Sequence, residues 1–336
     1  MIMGKKKRRI FITGDTHGFH NIHKLNKSNF PTGNDLTKDD ILIICGDAGF
    51  VWNQRTDARE IEWISNRPWT TVYVDGNHEG FPLFANYETV DFFGAKADQI
   101  SSSLYHIHRG EIMQIDGMSF FCFGGAFSHD IEYRTLNVDW YHQELPTQAE
   151  VDYAMDKLRS CQYKVDYVIT HDVPTAFNFR LGYRGVNPFD MMKYRNPDVM
   201  YIDICSFLQN VYDMVENEIK AWFSGHYHVD KEMGLLRVLL EDIAEIDRES
   251  ETGYIILENH LQSVQERKFS CEELKRELAE EELYVNWGKI GPKSWFRADE
   301  PMISGTDFFE QSVTDNELEW LTRAYNLYTI KKDTFS

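Results

Sequence analysis

The chain has 336 residues, 42% of them hydrophobic and 26% charged, with 54 acidic against 35 basic side chains and a formal net charge of −19. A chain of this length can bury a sizeable core in one large domain or two smaller ones, and its acidity argues against holding long nucleic acid by bulk electrostatics. No apolar run approaches the roughly 18 residues of a membrane helix. Cys45, Cys122, Cys161, Cys205 and Cys271 are scattered without a CxxC spacing, which reads as a reducing, cytoplasmic compartment. Lys5 to Arg9 form a basic run with no long apolar region after it, so it is not read as a signal peptide.

Ile10-Phe11-Ile12-Thr13 leads into Gly14-Asp15-Thr16-His17-Gly18, a buried strand ending in a tight turn. The same grammar returns at Ile41 to Ile44 before Gly46-Asp47, and at Thr70 to Val74 before Asp75-Gly76-Asn77-His78. Residues 57–66 between them read as a helix with Asp57 as a possible N-cap. Strands alternating with helices argue for βαβ units. Runs 104–109, 111–116 and 118–123 are broken by Gly110 and by Asp116-Gly117, a hairpin signal that predicts an antiparallel part of the sheet. Thr147 and Glu150 form a capping box for a helix over 147–160. Val165 to Thr170 is a strand ending at His171, residues 177–197 read as a long rim loop, and a helix is expected around 198–217. Ala221 to Ser224 then runs into Gly225-His226-Tyr227-His228, and further strands are expected near 235–246 and 253–258.

Composition shifts after about residue 264. Ser270 and Glu273 open a charged helix expected to reach about Tyr284, and Thr314 opens a last helix with Leu318, Leu321, Tyr325 and Tyr328 as an apolar stripe. Residues 1–264 and 265–336 are therefore divided into a main domain and a helical extension. The stripe is expected to pack onto the parent domain; self-association or docking is the other reading.

Five strand ends thus carry Asp15 and His17, Asp47, Asn77 and His78, His171, and His226 and His228. Imidazoles with carboxylates and one amide oxygen suit Mn, Fe, Zn, Ni or Co better than Ca, and lack the thiolates of a structural zinc site. These are more groups than one ion uses, and they suit two ions sharing a carboxylate. Such a pair clamps a phosphate, lowers the pKa of a bridging water and stabilises charge on the attacking and leaving oxygens. A His that is not a ligand can protonate the leaving group.

These blocks, Gly14 to Gly18, Gly46-Asp47, Gly76-Asn77-His78-Glu79, His171 and Gly225 to His228, resemble in order the motif set of the calcineurin-like metallophosphoesterases. The resemblance covers about residues 15 to 230. It implies an α/β (α+β) fold, a four-layer α/β/β/α sandwich of two mostly mixed β-sheets flanked by helices, here followed by the C-terminal helical appendage. It assigns Asp15, His17 and His228 to one metal and Asn77, His171 and His226 to the other, with Asp47 bridging and His78 as general acid. Two divalent ions are expected, manganese foremost, with Fe, Zn, Ni, Co or Mg as candidates.

Gly124-Gly125-Ala126-Phe127-Ser128-His129-Asp130, Arg134, Trp140, Glu144 and Pro146 look similar to bacterial and phage-type members. Asn77, Arg134 and His129 are the expected substrate contacts. Members of the protein phosphatase branch carry an Asp and an Arg where this chain has Phe50 and Val51. That departure weighs against a Ser/Thr protein phosphatase and leaves Asp75, Asp130 or Arg134 to support His78. The expected function is hydrolysis of a small phosphate ester, a phosphodiester, nucleotide or short oligonucleotide, by attack of a metal-bridged hydroxide. A metal-stabilised scaffold with a vestigial site is the alternative of another class. Arg180, Tyr183 and Arg184 are read as a solvated rim. His20, His23, His106, His108, His142 and His260 show no partner pattern and are read as structural.

Overall fold

The structure, a computed structural model, describes residues 7–52, 57–128, 131, 134–181, 202–257, 270–286, 289–291, 303–304, 318, 321–322 and 325. The chain divides into two compact units, Met1–Asn259 and His260–Ser336. In the first unit the strands are β1 (Ile10–Thr13), β2 (Ile41–Ile44), β3 (Thr70–Tyr73), β4 (Glu88–Phe92), β5 (Ala95–Ser101), β6 (Leu104–Ile107), β7 (Glu111–Ile115), β8 (Met118–Phe123), β9 (Tyr167–Thr170), β10 (Ala221–Ser224), β11 (Lys231–Met233), β12 (Leu236–Val238), β13 (Ala244–Ile246) and β14 (Tyr254–Ile256). They form an eight-stranded sheet ordered β14-β13-β1-β2-β3-β6-β5-β4 and a six-stranded sheet ordered β11-β12-β10-β9-β8-β7. Both are mixed. β1, β2, β3 and β6 are parallel at the centre of one, and β8, β9, β10 and β12 at the centre of the other.

Side chains on a strand alternate between faces, and here both faces are apolar because both are covered. Ile10 and Ile12 of β1 meet Phe120 and Cys122 of β8 in the core between the sheets. Phe11 points the other way, into a core closed by Ile64 of the helix Asp57–Ser65. Phe121 and Phe123 point away from the first sheet, into a core closed by Leu158 of the helix Gln148–Ser160 and Leu208 and Val211 of the helix Ile204–Val215. Three cores between four layers make the α/β/β/α sandwich. The parallel strands aim their carboxyl ends at one edge, where open α/β sheets hold ligands.

Several elements differ from the sequence expectation. The β4–β5 hairpin was not anticipated. β4 is a mostly exposed edge strand and β5 is rich in Ala, Lys, Asp and Gln, types with weak strand preference. The run 235–246 is two strands in different sheets. Leu239 and Ile243 between them are buried in the crossover, and Asp230 Oδ1 accepts the N–H groups of Leu240, Glu241 and Asp242 there at 2.7, 3.1 and 3.0 Å. The helix expected from about 198 begins at Ile204, capped by Asp203; residues 182–201, including Tyr183 and Arg184, lie outside those described.

The second unit is mixed rather than wholly helical. The helix Cys271–Glu280 has the Ser270/Glu273 capping box but stops short of Tyr284. Glu282 is left-handed (φ 51°) and Leu283 N–H returns to Leu278 O at 2.9 Å, the six-to-one bond that ends a helix. The chain then forms an antiparallel sheet ordered β16-β15-β17 from β15 (Tyr284–Asn286), β16 (Lys289–Gly291) and β17 (Ile303–Ser304). Of the last expected helix, residues 318, 321, 322 and 325 are described and helical. Leu321 and Tyr325 pack on Leu274, Leu278, Leu283 and Val285 within this unit, and Tyr325 Oη donates to Glu277 Oε2 at 2.7 Å. Tyr328 and His260 lie outside the described residues. Among the described residues no helix is long and apolar enough to cross a membrane.

Candidate metal centre

The loops after β1, β2, β3, β9 and β10 bring every metal-type residue of the five blocks to one place. The backbone there is strained. His17, Asp47, His226 and His228 have φ of 45°, 48°, 69° and 49°, left-handed conformations that cost non-glycine residues on the order of 1–3 kcal/mol each and cluster at functional sites. Two glycines make room. A Cβ on Gly76 would overlap the Asp47 carboxylate, and one on Gly46 the His171 imidazole.

Two groups of donor atoms meet at Asp47. On one side, Asp15, His17, Asp47 and His228 each offer an atom within 4.8 Å of the others. His17 Nε2 faces His228 Nε2 at 3.0 Å and Asp47 Oδ2 at 3.6 Å, and both rings stand 3.9 Å from Asp15 Oδ1. On the other side, His171 Nε2 lies 3.3 Å from Asp47 Oδ1 and 3.2 Å from Asn77 Oδ1. The His226 ring centroid is 5.0 Å from that of His171, and the backbone N–H of His226 donates to both Asp15 oxygens at 3.1 and 3.0 Å. Asp15, Asp47, Asn77, His171 and His226 are buried, while the His228 side chain is half exposed. The centre is therefore open to solvent on that side.

His171 shows what this centre is built for. Its Nδ1–H donates to the Cys45 carbonyl at 2.7 Å, so Nε2 is left facing two oxygen acceptors. Only a cation resolves that contact: a proton on Nε2, or a metal ion. Donor-to-donor spacings of 3.0–3.3 Å also match the edges of a coordination polyhedron with bonds of about 2.1 Å. The donor set fits divalent metal. Without one, burial disfavours the charged ring, but Asp47 and Asp15 beside it push His171 up to about 10. Burial equally opposes ionisation of Asp47, yet the histidines beside it, His171 foremost, hold its carboxyl well below the usual range.

Partners behind the donors aim them. Asn77 Nδ2 donates to Ser128 Oγ at 3.2 Å, and Ser128 Oγ donates to Glu144 Oε2 at 2.7 Å. That chain turns the amide so its oxygen points at His171. Glu144 also accepts from Ser128 N at 3.0 Å and Trp140 Nε1 at 2.7 Å, and burial pushes its carboxyl up to about 8. Lys24, fully buried, donates to Gly14 O at 2.6 Å, Asp15 O at 3.1 Å and Leu240 O, pinning the first loop. Ser128→Ala removes the acceptor for Asn77 and should weaken metal binding about 10–100-fold. Metal titration by calorimetry checks this; an unchanged Kd contradicts it.

Sequence reasoning assigned no role to Ser128, Glu144 or Lys24. Glu144 and Ser128 stood in the stretch similar to bacterial members, whereas nothing in the sequence marks Lys24. Phe50 and Val51 are wholly buried in the core under the first sheet, so they cannot take the places of an Asp and Arg facing substrate. Of the three proposed supports for His78, Asp75 is engaged by Arg109 and His106, Asp130 lies outside the described residues, and Arg134 is in contact. Its Nη2 donates to His78 Nε2 at 2.7 Å and its Nη1 to Asp139 O at 3.1 Å. The backbone N–H of His78 donates to Asp47 Oδ1 at 2.8 Å, and its ring lies 5.0 Å from His17 and 5.6 Å from Trp52, centroid to centroid. His129, an expected substrate contact, is also outside the described residues.

A family model for calcineurin-like phosphoesterases matches residues 8–230. The chain belongs to that family. No curated protein matches it in sequence. Among solved structures, a putative 5'-nucleotidase from Staphylococcus aureus, solved in complex with alpha-ketoglutarate, is 12% identical, with TM-score 0.39 over 75% of this chain and 53% of the other. The sulfate thiohydrolase SoxB of Thermus thermophilus, solved with glycerol, is 10% identical, with TM-score 0.34 over 85% of this chain and 63% of the other. The chain thus spans about half of the first and under two thirds of the second.

Proposed function

We propose that this protein is a dinuclear, metal-dependent hydrolase of phosphate esters, acting on a phosphodiester or nucleotide-type substrate, with manganese as its foremost ion. The observation that carries the reading is the split of Asp47, with Oδ2 toward His17 and Oδ1 toward His171. Asp15, His17 and His228 would hold one ion, Asn77, His171 and His226 the other, and Asp47 both. When bound, such a pair polarises a phosphate ester and acidifies water at neutral pH.

The remaining chemistry belongs to His78 and Arg134. Arginine only donates, so the His78 Nε2 it touches is an acceptor and the ring is neutral in this arrangement. A phosphate attracts guanidinium into bidentate contact. Arg134 drawn onto the substrate would release Nε2 to take up a proton, which His78 then delivers to the leaving oxygen.

Hydrolysis of matched aryl phosphate mono- and diesters by metal-stripped protein resupplied with Mn²⁺ tests the proposal. Diester turnover that is lost in Asp47→Asn supports it. A monoester preference moves the substrate to phosphomonoesters, and no turnover of either with both metals bound contradicts it.

Metal binding must displace the His171 proton. The metal-free ring is held at about 10, so it is protonated at neutral pH and becomes available as pH rises. Apparent affinity should climb about tenfold per pH unit below that value for one proton displaced. Calorimetric titration in buffers of different protonation enthalpy checks this; heats independent of the buffer would contradict it.

A further inference from the structure

We propose that Asp98, His106 and His108 form a second metal site, separate from the candidate centre, that takes a divalent transition ion of the zinc type. The three residues come from neighbouring strands. In the antiparallel β5–β6 pair Asp98 lies directly opposite His106, and the pairing continues past the strand end, with His108 N–H donating to Lys96 O at 3.1 Å. Residues two apart on a strand share a face, so both imidazoles and the carboxylate stand on one side of the sheet.

The donor atoms converge. Asp98 Oδ2 is 3.1 Å from His106 Nδ1, and Asp98 Oδ1 is 2.8 Å from His108 Nε2. One atom from each of the three lies within 4.8 Å of the others. None of these residues belongs to the first centre.

The support behind His106 is that of a metal-binding histidine. Its other nitrogen, Nε2, faces Asp75 Oδ1 at 3.3 Å, and Asp75 Oδ2 accepts from Arg109 Nε at 2.9 Å. A carboxylate on the far nitrogen orients a ligating imidazole; Nδ1 faces a second carboxylate, Asp98, and becomes a ligand when an ion takes the place of the proton between them. The ring is also clamped in plane, stacked on Phe84 at 4.1 Å and 17°, with Tyr73 at 5.3 Å. Asp98 and His106 are buried, and His108 is about one third exposed. All three line a cavity of about 460 Å³, so an ion held by three protein donors would keep open positions for water or another ligand. Two imidazoles and one carboxylate favour zinc, nickel, cobalt, copper or iron over calcium or magnesium.

The site is tested by zinc content. Metal-stripped wild type, His108→Gln and His108→Ala are dialysed against the same micromolar free Zn²⁺ and analysed for zinc per chain. His108→Gln keeps a polar side chain beside Asp98 and guards against loss of fold; His108→Ala removes the donor outright. Each variant should hold one equivalent fewer than wild type, whatever number the first centre contributes. Equal zinc in all three proteins would overturn the proposal and leave Asp98 as a hydrogen-bonded carboxylate between two imidazoles.

Discussion

Asp47→Asn should lower turnover about a thousandfold and reduce bound metal, because it removes the carboxylate whose two oxygens face His17 and His171. A bound ion pair contributes several kcal/mol to stabilising charge in the reaction, and about 4 kcal/mol corresponds to three powers of ten. The change is nearly isosteric. Asn keeps an oxygen able to accept the His78 backbone N–H now bound at 2.8 Å by Oδ1. It loses the negative charge and sets an amide donor against His17, whose Nε2 is 3.6 Å from Oδ2. Fold and activity therefore separate. Steady-state kinetics with aryl esters, beside metal analysis and a thermal melt, tests the expectation. A variant that keeps turnover within tenfold of wild type would remove Asp47 from the bridging position.

His78→Ala should behave differently: metal content stays, and the rate falls according to the leaving group. General acid catalysis is worth roughly 10²–10⁴-fold. That loss should appear with alkyl esters, whose departing oxygen needs a proton, and nearly vanish with a nitrophenyl ester, whose oxygen does not. The contrast follows from position. The ring packs edge-on to His17 and beside Trp52 and touches Arg134, but the donor cluster of Asp15, His17, Asp47 and His228 is complete without it. Metal content and rate falling together, with no dependence on leaving group, would show that His78 is a ligand and not an acid. Arg134→Ala offers a further contrast, because removing the donor from Nε2 lets the imidazole protonate more readily while taking away a phosphate contact.

The strand-to-turn junctions were legible because local chemistry writes them. Ile10 to Thr13, Ile41 to Ile44, Thr70 to Tyr73, Tyr167 to Thr170 and Ala221 to Ser224 are buried throughout and carry no polar residue other than threonine, serine and tyrosine. A strand covered on both faces must be so. The capping boxes at Thr147 and Ser270 were legible for the same reason, since a helix end finds its partners three residues away. The β4–β5 hairpin and the crossover from Leu239 to Ile243 were not. Their environment comes from neighbours distant in sequence, and an edge strand or a buried connection has no periodicity of its own.

The sequence by itself determined the residue types of the centre, their order, and their places at the ends of buried strands. Only the tertiary structure decided which oxygen of Asp47 faces which histidine, that Ser128 and Glu144 aim Asn77, and that Arg134 rather than Asp75 touches His78. It also decided that His106 and His108, isolated in sequence from any ligand pattern, share a carboxylate with each other. The reason is geometric. Strand register and the meeting of two sheets bring together residues as distant in sequence as Asp15 and His226, 211 positions apart, and no local pattern records which side chain will stand opposite which.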